Sequence, residues 1–173
     1  MGLRRSTKIR QRLRDAYIAG ELGELAARPV VVFVCTANSA RSQMAEGLLR
    51  ALAGDQFEVR SAGLAPTRVH PFATLVMKER GIDIGGQRAK SIGEIAHVGS
   101  ATVITLCDGA AEACPLIPGQ AQRLHWSFPD PAAAAGSGRE RLAVFRATRD
   151  AIEQRIAGWL AAQSDRQETV SFL

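Results

Sequence analysis

Blocks of apolar residues follow two different periods along the chain, and these periods predict strands and helices in alternation. Residues 30–34 are apolar at every position, which is typical of a central parallel strand covered on both faces. A helix is predicted next, over residues 40–53, because its apolar residues fall on one face. Those residues are Met44, Leu48, Leu49 and Leu52. Shorter apolar runs predict strands over residues 57–61, 101–106 and 122–126.

Helical patterns separate these strands and follow the last of them. Helices are predicted over residues 70–80, 91–96 and 139–162, and residues 108–113 are predicted to be helical or irregular. Residues 85–91 and 128–135 are predicted loops. Strands that alternate with helices predict an α/β fold with a single domain, built on a parallel sheet of about four strands with helices on both faces.

The stretch before the first strand has its own amphipathic pattern. Ile9, Leu13 and Tyr17 recur every four residues with arginines between them, which predicts one or two helices over residues 7–27. Two interpretations stay open: this segment packs on the domain or frays, or it contacts a partner. The predicted organisation is a basic helical extension over residues 1–28, a domain over residues 29–163 and a loose C-terminal tail over residues 164–173.

Composition narrows the class of protein. The 173 residues are 46% hydrophobic and 23% charged, as in an ordinary globular protein, and no apolar run reaches the ~18 residues of a membrane span. The basic start of the chain is not followed by an apolar stretch, so a cytoplasmic protein without a secretory signal is expected. Five of the 22 basic residues lie among the first twelve positions, and aromatics are only 5%, so neither nucleic-acid nor membrane binding is expected.

The most informative stretch is CTANSARS, which lies between the first strand and the first helix of the domain. A strand–loop–helix connection leaves backbone N–H groups unpaired and directed at one point, which suits a tetrahedral oxyanion. Arg41 can grip two oxygens of such an anion, and a helix N-terminus beside an arginine favours the thiolate of Cys35. The predicted oxyanion-binding residues are Thr36, Ala37, Asn38, Ser39, Ala40, Arg41 and Ser42. A lone cysteine at a strand end could equally be an inert core residue, but the C-x5-R-S spacing favours a nucleophile.

Asp130 lies between two prolines, on a stiff loop that could hold a carboxyl group at a fixed reach. Such a group could protonate a leaving oxygen as a general acid. The alternative is an ordinary aspartate in a turn. With a nucleophilic cysteine upstream, the role of general acid is favoured.

Two further cysteines follow the predicted third strand. Because the carboxyl ends of parallel strands lie at one edge of the sheet, Cys107 is expected on the same side as Cys35. Three thiols there, with Cys114 as the third, could pass a disulfide along by exchange. The alternative is that Cys107 and Cys114 are small buried hydrophobic residues. An odd number of cysteines without C-x-x-C spacing, together with scattered histidines, predicts neither a secreted disulfide framework nor a metal site.

Several motifs occur together in order: CTANSARSQMAEG, SAG, VITLC, ACP and HWSFPDPA. Over residues 29 to about 162, the chain resembles the thioredoxin-coupled arsenate reductases, which share the low-molecular-weight tyrosine phosphatase fold. The resemblance implies that Cys35 attacks arsenate and that Asp130 assists the loss of hydroxide or water. Cys107 then releases arsenite by forming a disulfide with Cys35, and Cys114 takes over the bond to Cys107 for reduction by thioredoxin. It implies no organic cofactor, a role in arsenic detoxification, and phosphate or sulfate as substrate analogues.

The resemblance also assigns residues that support the loop, namely Asn38, Ser42, Glu46 and Ser61, and Lys90 is predicted to join them. Part of the family binds potassium, and Asn38, Glu46 and Ser61 match three of its ligands. The fourth ligand, an aspartate, is replaced by Lys90. Its ammonium near Glu46 would take the place of the cation, so no dependence on potassium is expected. Ala40 stands where many members have a further cysteine, and Gln87 stands where a histidine is found.

Two competing functions remain at this stage. A low-molecular-weight tyrosine phosphatase would need only Cys35, Arg41 and Asp130, although Phe128 and Pro129 stand where such phosphatases tend to carry tyrosines. The other is a redox-sensing or partner-binding protein that keeps the fold. The sequence leaves open the physiological reductant, which could be thioredoxin or a small thiol with a glutaredoxin-like protein, and also the oligomeric state.

Overall fold

The computed structural model describes residues 28–95, 101–117 and 119–171, with side chains described as far as residue 164. The helix predicted over residues 7–27 lies outside the described residues. No helix in the described part of the chain is both long and apolar enough to cross a lipid bilayer.

Four parallel strands form the centre of the fold. They are β1 (Val30–Cys35), β2 (Glu58–Gly63), β3 (Ala101–Thr105) and β4 (Gln120–His125). Their order across the sheet is β2-β1-β3-β4. The side chains from Val31 to Cys35 are at most 2% exposed, so both faces of β1 are covered, as its uninterrupted apolar sequence predicts. The four-stranded parallel sheet is thereby confirmed.

The helices of the fold are α1 (Arg41–Ala53), α2 (Pro71–Lys78), α3 (Asp108–Ala113) and α4 (Gly138–Ser171). Two short 3-10 turns, Ile92–Ile95 and Pro131–Ala133, complete the described secondary structure. The helix α4 packs on α1 and α2 through fully buried residues that include Phe145, Ile152 and Ile156. The helices predicted over residues 40–53 and 70–80 are present within a few residues of their expected bounds, and the one predicted over residues 91–96 is the first 3-10 turn.

The C-terminus is the clearest difference from the predicted secondary structure. The last helix was expected to end near residue 162, with a loose tail over residues 164–173, but α4 continues to Ser171. The predicted end of the helix is wrong because the residues just after position 162 give no signal that stops a helix. No glycine or proline occurs after Gly158, and the alanine, glutamine, arginine and glutamate residues there favour helix.

The strand order creates a cleft at one end of the sheet. The chain leaves β1 toward β2 on one side and later returns to β3 on the other side, so the connections after β1 and β3 diverge. Such a switch point is where ligands bind in open α/β sheets. The backbone N–H of Leu106 donates to the Val34 carbonyl at 2.8 Å, which joins the segment after β3 to the end of β1. Cys35 and Cys107 therefore lie at the same edge of the sheet.

Candidate active site

The loop after β1 is held by its carbonyl groups. The carbonyls of Cys35, Thr36, Ala37 and Ser39 accept hydrogen bonds from the backbone of residues 64–70, over 2.9–3.3 Å. Within the described part of the chain, the amides of residues 37–40 have no backbone acceptor. The first turn of α1 has no capping side chain and no acidic residue. The loop and the start of α1 thus leave a set of N–H groups available to an anion.

Asn38 fixes the shape of this loop. It has a positive φ of 46° and is fully buried. Its Nδ2 donates to Ser42 Oγ at 2.8 Å and to Ser61 Oγ at 2.9 Å, while its Oδ1 accepts from Gln43 Nε2 at 2.9 Å and from the Lys90 backbone N–H at 2.8 Å. A side-chain amide offers two donor hydrogens and two acceptor lone pairs, so the Asn38 amide is fully satisfied.

Cys35, the predicted nucleophile, lies at the end of a directed chain of hydrogen bonds. The Cys35 thiol is 2% exposed, and its Sγ lies 2.9 Å from Ser42 Oγ. Because Ser42 Oγ accepts from the Asn38 amide, the hydroxyl hydrogen of Ser42 is available to donate to Cys35 Sγ. The arrangement therefore makes Cys35 Sγ the acceptor at the end of this chain and fixes its orientation.

The same network ends on a buried carboxylate, that of Glu46, which is 2% exposed. Ser61 Oγ donates to Glu46 Oε2, and Arg50 Nη2 lies 2.6 Å from Glu46 Oε1. Lys90 Nζ lies 3.4 Å from Glu46 Oε2 and donates to the Arg88 carbonyl at 3.0 Å. Its ammonium group therefore neutralises this carboxylate beside Ser61. The residues present do not fit a potassium ion there, because a second cation would face the Lys90 charge directly.

Arg41 presents a buried donor without an acceptor in the described part of the chain. Its side chain is 9% exposed, with Nη1 donating to the Phe128 carbonyl at 3.0 Å and Nη2 lying 3.4 Å from Asp130 Oδ2. The buried Nε of Arg41 finds no hydrogen-bond partner among the described residues. An unpaired buried N–H is unfavourable, and an oxyanion in the loop would satisfy it.

Asp130 caps the 3-10 turn that follows it. Its Oδ1 accepts from the Ala132 backbone N–H at 3.2 Å, while its Oδ2 faces Arg41. The side chain is 45% exposed. The turn thus fixes Oδ1 of Asp130, and Arg41 holds Oδ2 at the mouth of the loop that follows β1.

The other two cysteines flank helix α3. Cys107 is its N-cap residue, and Cys107 Sγ lies 3.4 Å from Thr36 Oγ1 in the loop. Cys114 is the C-cap residue and is 6% exposed. Burial raises the pKa of the Cys114 thiol, and the nearby charge of Arg123 partly offsets that effect. All three cysteines are free thiols.

A polar cluster at the mouth of the site was missed by the sequence reasoning. Asp108 Oδ1 accepts from Ser127 Oγ at 2.7 Å and lies 3.1 Å from His125 Nε2, and Thr105 Oγ1 lies 2.9 Å from His125 Nδ1. The hydrogen bonds from Ser127 and His125 hold the pKa of Asp108 below its usual value, and the charge of Arg41 adds to this. The signal in the sequence that could have revealed this cluster is the HWS stretch of the HWSFPDPA motif, which contains His125 and Ser127.

Gly63 was also missed as a residue of the site. A Cβ at this position would lie 2.8 Å from the Asn38 backbone nitrogen and 2.9 Å from the Thr36 carbonyl oxygen. Both contacts are with backbone, which cannot rotate away as a flexible side chain could. The close approach of β2 to the loop therefore requires glycine here. The signals in the sequence were a glycine at a strand end and its place in the SAG motif.

The fold and the site together indicate the class of protein to which this chain belongs. The site combines a cysteine at the end of a central parallel strand, a loop of free amides and a buried arginine at the first turn of the next helix. This combination is suited to bind an oxyanion beside a thiol. The family model described as low molecular weight phosphotyrosine protein phosphatase matches residues 30–169, and the chain belongs to this family.

Within this family, similar proteins are arsenate reductases. That of Halalkalibacterium halodurans is 46% identical over 129 residues, which are 75% of this chain and 93% of the relative. A solved arsenate reductase in the phosphate-binding state is 36% identical, with a TM-score of 0.66 over 78% of this chain and 98% of that one. A thioredoxin-dependent arsenate reductase from Corynebacterium glutamicum is 28% identical, with a TM-score of 0.60 over 81% of this chain and 64% of that one. The resemblance to arsenate reductases of the phosphatase fold is thereby confirmed.

Gly63→Ala is expected to weaken both anion binding by the loop and the stability of the fold. The added methyl group must displace the backbone of Thr36 or Asn38, so the affinity of the loop for phosphate should fall about tenfold, with a loss of stability of about 1–3 kcal/mol. Phosphate binding by calorimetry and thermal unfolding measure the two effects. Gly86→Ala is the matched control, since a Cβ there meets no atom within 4 Å. Unchanged phosphate affinity in the Gly63 variant would contradict the close-approach argument.

Lys90 is expected to make the protein indifferent to potassium. Replacing sodium with potassium at equal ionic strength should change neither the melting temperature nor the arsenate-dependent activity. Lys90→Ala should lower stability by about 1 kcal/mol, because Glu46 loses one of its two cationic neighbours. Lys78→Ala, at an exposed lysine of α2, is the control. A marked rise in the melting temperature of the unaltered protein in potassium would refute this prediction.

Proposed function

We propose that this protein reduces arsenate to arsenite through a disulfide relay that runs from Cys35 to Cys107 and then to Cys114. The observation that carries the proposal is the placement of the three thiols. Cys35 lies under the free amides of the loop, Cys107 touches the loop at Thr36, and Cys114 ends the helix that Cys107 begins. A phosphatase needs only the first of these thiols.

Arsenate is held as a tetrahedral oxyanion by the amides of residues 36–42 and by the guanidinium of Arg41. The unpaired Nε of Arg41 supports this step, because it supplies a buried donor with no acceptor among the described residues. Phosphate and sulfate share the tetrahedral geometry and bind as analogues. The relative solved in a phosphate-binding state agrees with this assignment.

The first chemical step forms a bond between Cys35 sulfur and arsenic and breaks one arsenic–oxygen bond. The Ser42 hydroxyl stabilises the attacking thiolate, and Asp130 donates a proton so that the oxygen leaves as water. The position of Asp130 supports this role, because an anion gripped by Arg41 would lie within reach of the Asp130 carboxyl group, whose Oδ2 is 3.4 Å from Arg41 Nη2.

The second step transfers electrons to arsenic. The Cys107 thiolate attacks Cys35 sulfur, so a sulfur–sulfur bond forms while the sulfur–arsenic bond breaks. The electron pair of that bond stays on arsenic, which leaves as arsenite in the trivalent state. The contact between Cys107 Sγ and Thr36 Oγ1 supports this step, because it brings the second thiol against the loop that holds the first.

The third step needs a change in α3. Cys114 attacks Cys107 and releases the Cys35 thiolate, but the two cysteines cap opposite ends of the helix. Seven helical steps of about 1.5 Å place their Cα atoms about 10 Å apart. A disulfide requires at most about 7 Å between Cα atoms. Helix α3 must therefore open before the Cys107–Cys114 bond can form.

The Cys107–Cys114 disulfide is then reduced by thioredoxin, as the thioredoxin-dependent relative suggests. A small thiol with a glutaredoxin-like protein is the alternative reductant. We further propose that the enzyme works in the cytoplasm, acts in arsenic detoxification, requires neither a cofactor nor a metal ion, and has neither nucleic acid nor membrane as a partner.

A phosphatase with Cys35, Arg41 and Asp130 is the second candidate, because these residues also suit hydrolysis of a phosphate ester and the matching family model bears that description. The two candidates differ in whether Cys107 and Cys114 are needed for turnover.

Cys107→Ser and Cys114→Ser should each abolish multiple turnover of arsenate. The assay is NADPH oxidation coupled through thioredoxin reductase and thioredoxin. Neither variant can form the Cys107–Cys114 bond, so no substrate for thioredoxin accumulates. Continued arsenite production at the rate of the unaltered enzyme in either variant would refute the relay.

The matched control is the anion site itself. Phosphate should still protect Cys35 from alkylation in both variants, because neither change touches the loop amides or Arg41. Loss of this protection would show that the substitution had damaged the site rather than the relay.

A further inference from the structure

We propose that Arg123 is a positioning residue that holds α3 closed and so controls when Cys114 can react. This inference rests on the proposed relay, in which α3 must open before Cys107 and Cys114 can be joined. Arg123 was not singled out by the sequence, and no step of the relay uses it chemically.

Arg123 joins the sheet to the C-terminal end of α3. It lies on β4, where it pairs with Val103 of β3. Its Nη2 donates to the Ala111 carbonyl and to the Cys114 carbonyl, each at 3.0 Å. Carbonyls at the end of a helix lack intrahelical partners, so the guanidinium satisfies groups that would otherwise need water. A positive charge at this end of a helix is also favoured by the aligned peptide dipoles.

Apart from the hydrogen bonds from Arg123, few interactions among the described residues keep helix α3 folded. It contains only six residues, fewer than an isolated helix needs to be stable in water. Its backbone bonds include Ala111 N–H to the Cys107 carbonyl and Cys114 N–H to the Ala110 carbonyl, each at 3.0 Å. Ala110 is the one residue inside the helix that is fully buried. The two bonds from Arg123 therefore make up a substantial part of what opening must break.

The same side chain acts on the reactivity of Cys114. While α3 is closed, the Cys114 thiol is 6% exposed and burial raises its pKa. Among the described residues, the charge of Arg123 is the influence that lowers this pKa. Arg123 thus keeps the thiol covered while partly favouring its ionised form.

Opening of α3 then allows the Cys35–Cys107 disulfide to be exchanged for the Cys107–Cys114 disulfide. Once the Cys35–Cys107 bond has formed, the Cys114 thiol loses its proton to solvent and its sulfur attacks Cys107 sulfur. The Cys107–Cys114 bond forms, the Cys35–Cys107 bond breaks, and Cys35 leaves as a thiolate. Release of the Ala111 and Cys114 carbonyls by Arg123 must come before this attack, because the closed helix keeps Cys107 and Cys114 at opposite ends.

Alkylation of Cys114 in the reduced protein tests the proposal. Iodoacetamide labelling of each cysteine is followed by peptide mass spectrometry in the unaltered protein, Arg123→Ala and Arg123→Lys. In Arg123→Ala the limiting rate of Cys114 alkylation at high pH should rise about tenfold, because opening of α3 no longer breaks two charge-assisted hydrogen bonds. The pH at which this alkylation rate is half its limit should move upward, because the positive charge of Arg123 is gone. Arg123→Lys keeps the charge and should retain the original midpoint.

The matched control is Arg139→Ala, at an exposed arginine in the first turn of α4. Its Cys114 alkylation rate should stay within about twofold of that of the unaltered protein. Amide hydrogen exchange separates local opening from general damage: in Arg123→Ala it should accelerate over residues 108–114 but not over residues 41–53. An unchanged rate and midpoint for Cys114, or faster exchange throughout the protein, would overturn the proposal.

A failure of this proposal can be told apart from a failure of the proposed function. Without a reductant, the reduced unaltered protein should release a stoichiometric burst of arsenite from arsenate. If the burst occurs but Cys114 alkylation is the same in Arg123→Ala, only the role of Arg123 is wrong. If no arsenite forms, the relay is wrong and Arg123 has no exchange step to control.

Discussion

The buried amide of Asn38 is the interaction on which the site depends. It is fully paired, with its two donors on Ser42 and Ser61 and its acceptor oxygen on Gln43 and the Lys90 backbone. These four bonds tie the loop to α1, to β2 and to the segment after residue 85. They also hold Asn38 at a positive φ, a conformation that few non-glycine residues adopt. A buried polar network is favourable only when each member is satisfied, so the loop has one defined shape.

That shape suits the nucleophile and the anion site that we propose, but it does not by itself select reduction over hydrolysis. The distinction lies in the contrast between the rigid loop and the short helix beside it. Cys35 is oriented by Ser42 at the end of a fixed chain of hydrogen bonds. Cys107 and Cys114, in contrast, cap a helix of six residues whose far end is held by Arg123. A rigid first thiol and a helix that can open are what a relay requires.

The sequence predicts these features unequally, and the reason is the range of the interactions involved. The strands, α1 and the C-x5-R-S loop follow from local apolar patterns and motif spacing, and they are present. The end of α4 was predicted wrongly, because no glycine or proline occurs after Gly158 and the residues there favour helix. Gly63, Asp108 and Arg123 were not recognised, because their contacts join segments that only the folded sheet brings together. The pairing of Lys90 with Glu46 was expected only from the family resemblance, and the structure places the two groups 3.4 Å apart.

The most direct test of the central claim is a map of the disulfide bonds after the reduced protein meets arsenate without any reductant. Peptide mass spectrometry should find a Cys107–Cys114 bond and a free Cys35 in the unaltered protein. In Cys114→Ser it should find a Cys35–Cys107 bond instead. Three free thiols in the unaltered protein after arsenate has been converted to arsenite would contradict the relay.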